Sequence, residues 1–97
     1  MKITTNQNGT AFTLAVEGRL DTVSAPELES SIKSLSGATE LTLDFAKLDY
    51  ISSAGLRVLL TAHKNFANLG GMTVINVSET VLEIFDITGF KDILKIK

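Results

Sequence analysis

The sequence predicts an α/β domain on a mixed sheet of about five strands, in the order β-β-α-β-α-β-α-β, the first two strands forming an N-terminal hairpin. Three observations lead there. The spacing of apolar residues switches repeatedly between a period of two and a period of 3.6. An Asn-Gly pair separates the first two strand-like runs. Two β-α-β passages with short connections follow, which favours right-handed crossovers and mostly parallel central strands.

The opening hairpin rests on Asn8-Gly9, set between KITT and AFTLAVEG, where Phe12, Leu14 and Val16 share one face. Both turn residues tolerate the positive φ of a type I′ turn. In SAPELESSIKSLSG, Ser24 stands as an N-cap with Pro26 in the first turn and Glu27 three residues on. Leu28, Ile32 and Leu35 then recur at helical spacing before Gly37. That pattern predicts a capping box, a helix and a glycine C-cap.

Leu41, Leu43 and Phe45 alternate in the next strand, which feeds through AKLDYI into the serine pair Ser52-Ser53. A second helix is expected from Leu56, Leu59, Leu60, Phe66 and Leu69, stopped by Gly70-Gly71. MTVINV reads as a buried strand, Ser78 as the cap of a third helix closed by Gly89, and DILKIK as a short final strand.

At 97 residues, one domain spanning residues 1–97 with a modest core is expected. The hydrophobic share of 44% and charged share of 21% are ordinary globular values, and no apolar run reaches the ~20 residues of a membrane span. No signal-peptide pattern opens the sequence and it has no cysteine, so a cytoplasmic location is expected, without membrane insertion. Nine basic residues are scattered among eleven acidic ones for a net charge of -2, which gives no footprint for nucleic acid.

Enzymatic chemistry lacks its parts. The one histidine, His63, falls ten residues after Ser53 on the same expected helix, about 15 Å away at 1.5 Å per residue, beyond general-base reach. No nucleophile elbow, phosphate-binding loop or dinucleotide fingerprint is present. Asp21, Asp44 and Asp49 read as strand ends and turns rather than a carboxylate cluster, and no metal site or cofactor is expected.

The serine pair is what remains. From the residues alone it is either a helix cap or a chemical handle at the positive end of a helix. Unpaired backbone N–H groups there accept an anion, so a phosphoserine could be borne without melting the helix.

The run LTLDFAKLDYISSAGLRVLL resembles the signature region of the STAS domain, the sulfate transporter and anti-sigma factor antagonist family, and its free-standing bacterial members in particular. GRLDTVSAPELE is similar to the family's G-x-L-D element, and LGGMTVINVSETVLEIFDITGF to its later strand and helix. The resemblance implies an STAS-like mixed sheet with helices packed mainly on one face. It also implies a non-enzymatic antagonist that binds an anti-sigma factor with serine/threonine kinase activity and lets go when phosphorylated. ATP and magnesium would belong to that kinase, and a serine phosphatase would reverse the modification; when free, the chain is expected as a monomer. Setting Gly55-Leu56 on the family's Gly-Leu places Ser53 at the phosphorylated position, Ser52 at the usual acidic position and Ala54 at the following hydroxyl position. Asp21 and Thr22 are then expected beside the serine site. The alternative is a phosphorylation-independent STAS subunit of a transporter or signalling complex.

Overall fold

The computed structural model describes residues 1–97. Its elements are β1 (Lys2–Asn8), β2 (Ala11–Leu20), α1 (Ala25–Lys33), β3 (Glu40–Asp44), β4 (Leu48–Ile51), α2 (Ser53–Phe66), β5 (Gly71–Ile75), α3 (Glu79–Thr88), a 3-10 turn at Phe90–Asp92 and β6 (Lys95–Ile96). The six strands form one mixed sheet in the order β1-β2-β3-β5-β6, with β4 also paired to β2. Only the β1–β2 pairing is antiparallel.

Alternation along the central strands decides which face carries the helices. Leu14, Leu43 and Val74 lie opposite one another across three strands and are each 0% exposed. Phe12, Leu41 and Met72 form a second buried row beside them. The residues between them, including Thr13, Thr42 and Thr73, point to the other face and are half-buried. Leu28 of α1, Leu59 of α2 and Phe85 of α3 close the buried face, all at 0% exposure.

The sixth strand is β4, where the sequence suggested only a passage into the serines. Ten residues of β2 are too long for β3 alone, so Ala11–Ala15 pair with β3 and Gly18–Leu20 with β4. The register shifts between Gly18 and Arg19. Gly18 adopts a φ of 98° there, a value that a residue without Cβ adopts at little cost.

Four local expectations are corrected. Asn8 and Ala11 pair across the hairpin, so the turn residues are Gly9-Thr10, with a positive φ at Gly9 alone. That places the lone positive φ at the first central position, as in a II′ rather than a I′ turn. Ser24 does not cap α1 through its side chain, so the capping box is absent. The helix ends at Lys33, and Gly37, at φ 72°, bends the chain later on its way into β3. The last strand shrinks to Lys95–Ile96 because Phe90–Asp92 winds into the 3-10 turn. By contrast, Ser78 accepts from the Val81 N–H at 3.3 Å and Gly89 closes α3 in the left-handed region, as their sequence positions predict.

Candidate functional site

β2 and β4 run in parallel and end side by side, Leu20 opposite Ile51. The residues that follow, Asp21 and Ser52, therefore emerge together at the carboxyl edge of the sheet. The Ser52 N–H donates to the Leu20 carbonyl at 2.8 Å, which ties the start of α2 to the end of β2. The Leu56 N–H then donates to the Ser52 carbonyl at 2.9 Å and begins the helical ladder.

Gly55 lets this junction close. A Cβ built there would lie 2.7 Å from Leu20 Cγ, 2.8 Å from Ile51 Cγ1 and 3.0 Å from the Leu20 carbonyl oxygen. Leu56 and Leu59 of the same helix are buried in the core. With that face of α2 pressed on the strand ends, Ser53 at its first position is exposed, and Ala54 is half-buried.

The two serines thus part company. Ser52 occupies the N-cap position with extended backbone, yet its hydroxyl makes no capping bond and is buried without a partner. Ser53 presents its side chain to solvent beside the helix's free N–H groups, where a negative charge is favoured.

Asp21 organises the neighbouring turn. Its Oδ1 accepts from the N–H groups of Val23 and Ser24, each at 3.1 Å, and its carbonyl accepts from Ala25 at 2.8 Å. The Asp21 N–H donates to Ser24 Oγ at 2.9 Å. The Ser24 hydroxyl lies 2.7 Å from the Arg19 carbonyl and 3.2 Å from Asp21 Oδ1, two acceptors for its one proton. The Ser24 N–H above all, then the Ser24 hydroxyl, the Val23 N–H and the Arg19 guanidinium at 3.9 Å, hold the Asp21 carboxyl below its ordinary range, against a smaller opposing effect of desolvation. Arg19 itself stacks 4.5 Å above the Tyr50 ring on β4.

Sequence reasoning missed two features of this surface. Val23, at the top of the turn that Asp21 fixes, is 90% exposed. Arg57 shares a groove of about 210 Å³ between α1 and α2 with Thr22, Pro26, Glu29, Ala54 and Thr61. A valine two residues after Asp21 looks like ordinary turn filling, and one arginine on a helix looks like solvated surface; the meeting of α1 and α2 is what sets Arg57 in a groove with Thr22 and Glu29. His63 lies on α2 with its Nδ1 buried and unpaired, about three turns from Ser53. Asp44 serves a turn, accepting from the Ala46 N–H at 3.0 Å and from Asn76 Nδ2 at 3.1 Å.

The STAS domain family matches residues 2–97, and the chain belongs to that family. Its relatives include the anti-sigma-B factor antagonist of Bacillus subtilis, 31% identical over 98 residues that cover 99% of this chain and 90% of that protein. BtrV of Bordetella bronchiseptica, provisionally named an anti-sigma factor antagonist, is 32% identical over 99 residues, covering 99% and 85%. The fold also matches the anti-sigma factor antagonist SpoIIAA of Bacillus. Its unphosphorylated form superposes with a TM-score of 0.76 at 15% identity, covering 99% of this chain and 87% of SpoIIAA. Its phosphorylated form gives 0.75 at 16% identity, covering 99% and 91%.

Proposed function

We propose that residues 1–97 act as one STAS domain that antagonises an anti-sigma factor, and that phosphorylation of Ser53 controls the binding. One observation carries this reading: Ser53 is the exposed first residue of α2, held outward by the contact of Gly55 with Leu20 and Ile51. Unmodified, the surface formed by Ser53, Ala54, Asp21, Thr22 and Val23 binds an anti-sigma factor that is also a serine/threonine kinase. The kinase brings ATP and magnesium and transfers the γ-phosphoryl group to Ser53 Oγ, which gives up its proton as the bond to the bridging oxygen breaks and ADP leaves. A serine phosphatase restores the free hydroxyl. Gly55 and Leu56 position the serine and Ser52 joins the strand to the helix; none of these groups needs to do chemistry.

The physical basis of release is local charge. A phosphoserine adds about -1.5 to -2 charges. On this chain it meets the helix N-terminus, where an exposed anion gains about 0.3 to 1 kcal/mol, so the fold tolerates it. The partner must instead desolvate or oppose a near-dianion at the centre of its contact, and an unpaired buried charge costs several kcal/mol. A loss of about 3 kcal/mol is already more than a hundredfold in affinity.

The test combines a kinase assay with binding titrations, using a kinase-type anti-sigma factor from the same genome. Wild type should take up one phosphate from ATP and Ser53→Ala none. Ser53→Asp should keep its melting temperature but bind about a hundredfold more weakly or worse, while Ser53→Ala should bind persistently. Phosphate on Ser53→Ala but not on Ser52→Ala would show the wrong serine to have been chosen. The neutral Ser52, in place of an acidic residue, favours a second reading, a phosphorylation-independent interaction subunit. Tight binding with no phosphate transfer is the outcome that selects it.

A further inference from the structure

We propose that Arg57 receives the phosphate of Ser53, closing an internal phosphoserine–arginine clamp across the first turn of α2. The inference rests on the reading of Ser53 as phosphoacceptor and names the residue that holds the modified state. Ser53 and Arg57 are four residues apart in one continuous helix, Ser53–Phe66, a spacing that brings Cβ atoms to about 5–6 Å on the same surface. Helical side chains lean toward the N-terminus, so the long arginine reaches back over the turn that begins at Ser53. Both residues are exposed, so no core packing has to move.

The surrounding charges leave Arg57 available. The chain has two ion pairs, Arg19 with Asp21 at 3.9 Å and Lys33 with Glu29 at 3.7 Å. Glu29, the acidic residue of the α1–α2 groove, is thus already paired to Lys33, and Arg57 is the groove's one cation. The Asp21 carboxylate is engaged with the Val23 and Ser24 N–H groups, and Arg19 is stacked on Tyr50. A guanidinium offers paired N–H donors that match phosphate oxygens, so the clamp adds directional hydrogen bonds to the field of the helix terminus. Its consequence is regulatory: by engaging the phosphate from within the chain, Arg57 makes it harder to remove.

The experiment encodes phosphoserine at position 53 during translation, which makes its outcome independent of any kinase. The second ionisation of the phosphate is followed by phosphorus NMR in wild type, Arg57→Gln, Arg57→Lys and, as a control, Lys64→Gln at the far end of α2. Arg57→Gln should raise that pKa by about 0.2–0.4 unit, because the second ionisation adds one charge facing Arg57 and i,i+4 pairs of single charges are weak. Arg57→Lys should recover part of the shift and Lys64→Gln should show none. A nonspecific alkaline phosphatase should remove the phosphate several-fold faster from Arg57→Gln than from wild type. Equal pKa values and equal hydrolysis rates in wild type and Arg57→Gln would overturn the clamp. Failure of the underlying reading shows separately, as absence of phosphate on Ser53 in the kinase assay.

Discussion

Asp21 links the local geometry of the site to the pH dependence of folding. Its carboxyl sits below the ordinary aspartate value of 3.8 in the folded chain, chiefly because the Ser24 N–H donates to the carboxylate. A group with a depressed folded pKa contributes stability in full above its unfolded value, and that contribution is lost as pH falls through the folded value. Asp21→Asn keeps an oxygen able to accept from Val23 and Ser24 but has no charge to titrate. In urea unfolding series between neutral pH and pH ~2, wild type should therefore lead Asp21→Asn at neutral pH, with the lead shrinking below about pH 4. Parallel curves through that window would remove the carboxylate from the account of the turn.

At the scale of elements, the helix starts make opposite predictions from the same residue type. Ser78 accepts from the Val81 N–H at the start of α3, so Ser78→Ala should cost about 1 kcal/mol. Ser52 stands at the equivalent position of α2, but its buried hydroxyl has no partner. Ser52→Ala removes an unsatisfied polar group and should leave stability unchanged or slightly raised, against what capping preference alone predicts. Denaturant melts of the two variants decide it, and an equal loss in both would show that the Ser52 hydroxyl caps α2 in solution. The seat of α2 gives a second test. Gly55→Ala forces a methyl to within 3 Å of Leu20 and Ile51 and should cost about 1–3 kcal/mol. Leu20→Ala leaves a cavity costing about 2–5 kcal/mol, yet it also clears space for the methyl. The double variant should lose less than the sum of the two, and strict additivity would mean that the contact is not shared.

Across the whole molecule, the site is separated from the core that holds the sheet together. Leu14, Leu43 and Val74 are fully buried in the middle of the sheet, whereas Ser53 stands beyond the strand ends. A charge at Ser53 therefore changes the surface and leaves the central ladder intact. Amide hydrogen exchange at Leu14, Leu43 and Val74 should be the same in the unmodified and Ser53→Asp proteins. Faster exchange at those three amides would mean that the charge loosens the fold, and release would then follow from a change of shape.

What the sequence determined by itself lies in features that neighbouring residues settle among themselves. Alternation in AFTLAV set the buried face of β2, the apolar run MTVINV marked β5, Ser78 and Gly89 bounded α3, and SSAGL marked the threshold of α2. Hydrophobic period and cap chemistry act within a turn or two, so they can be read in one short stretch. Tertiary structure decided the rest. β4 escaped notice because its buried residues, Leu48 and Ile51, are three apart, and its pairing begins only past the register shift in β2. Ser24 had the spacing of a capping box but found the Arg19 carbonyl, the Asp21 carboxylate and the Asp21 N–H within closer reach. The Ser52 hydroxyl is buried without a partner where its own N–H is tied to Leu20, more than thirty residues earlier in the chain, and the packing of α1 on α2 sets Arg57 in a groove with Thr22 and Glu29. A hydroxyl or a guanidinium chooses among partners by distance in space, and that distance is set by segments far apart in the chain, whereas an apolar residue needs only the correct face of its own strand or helix.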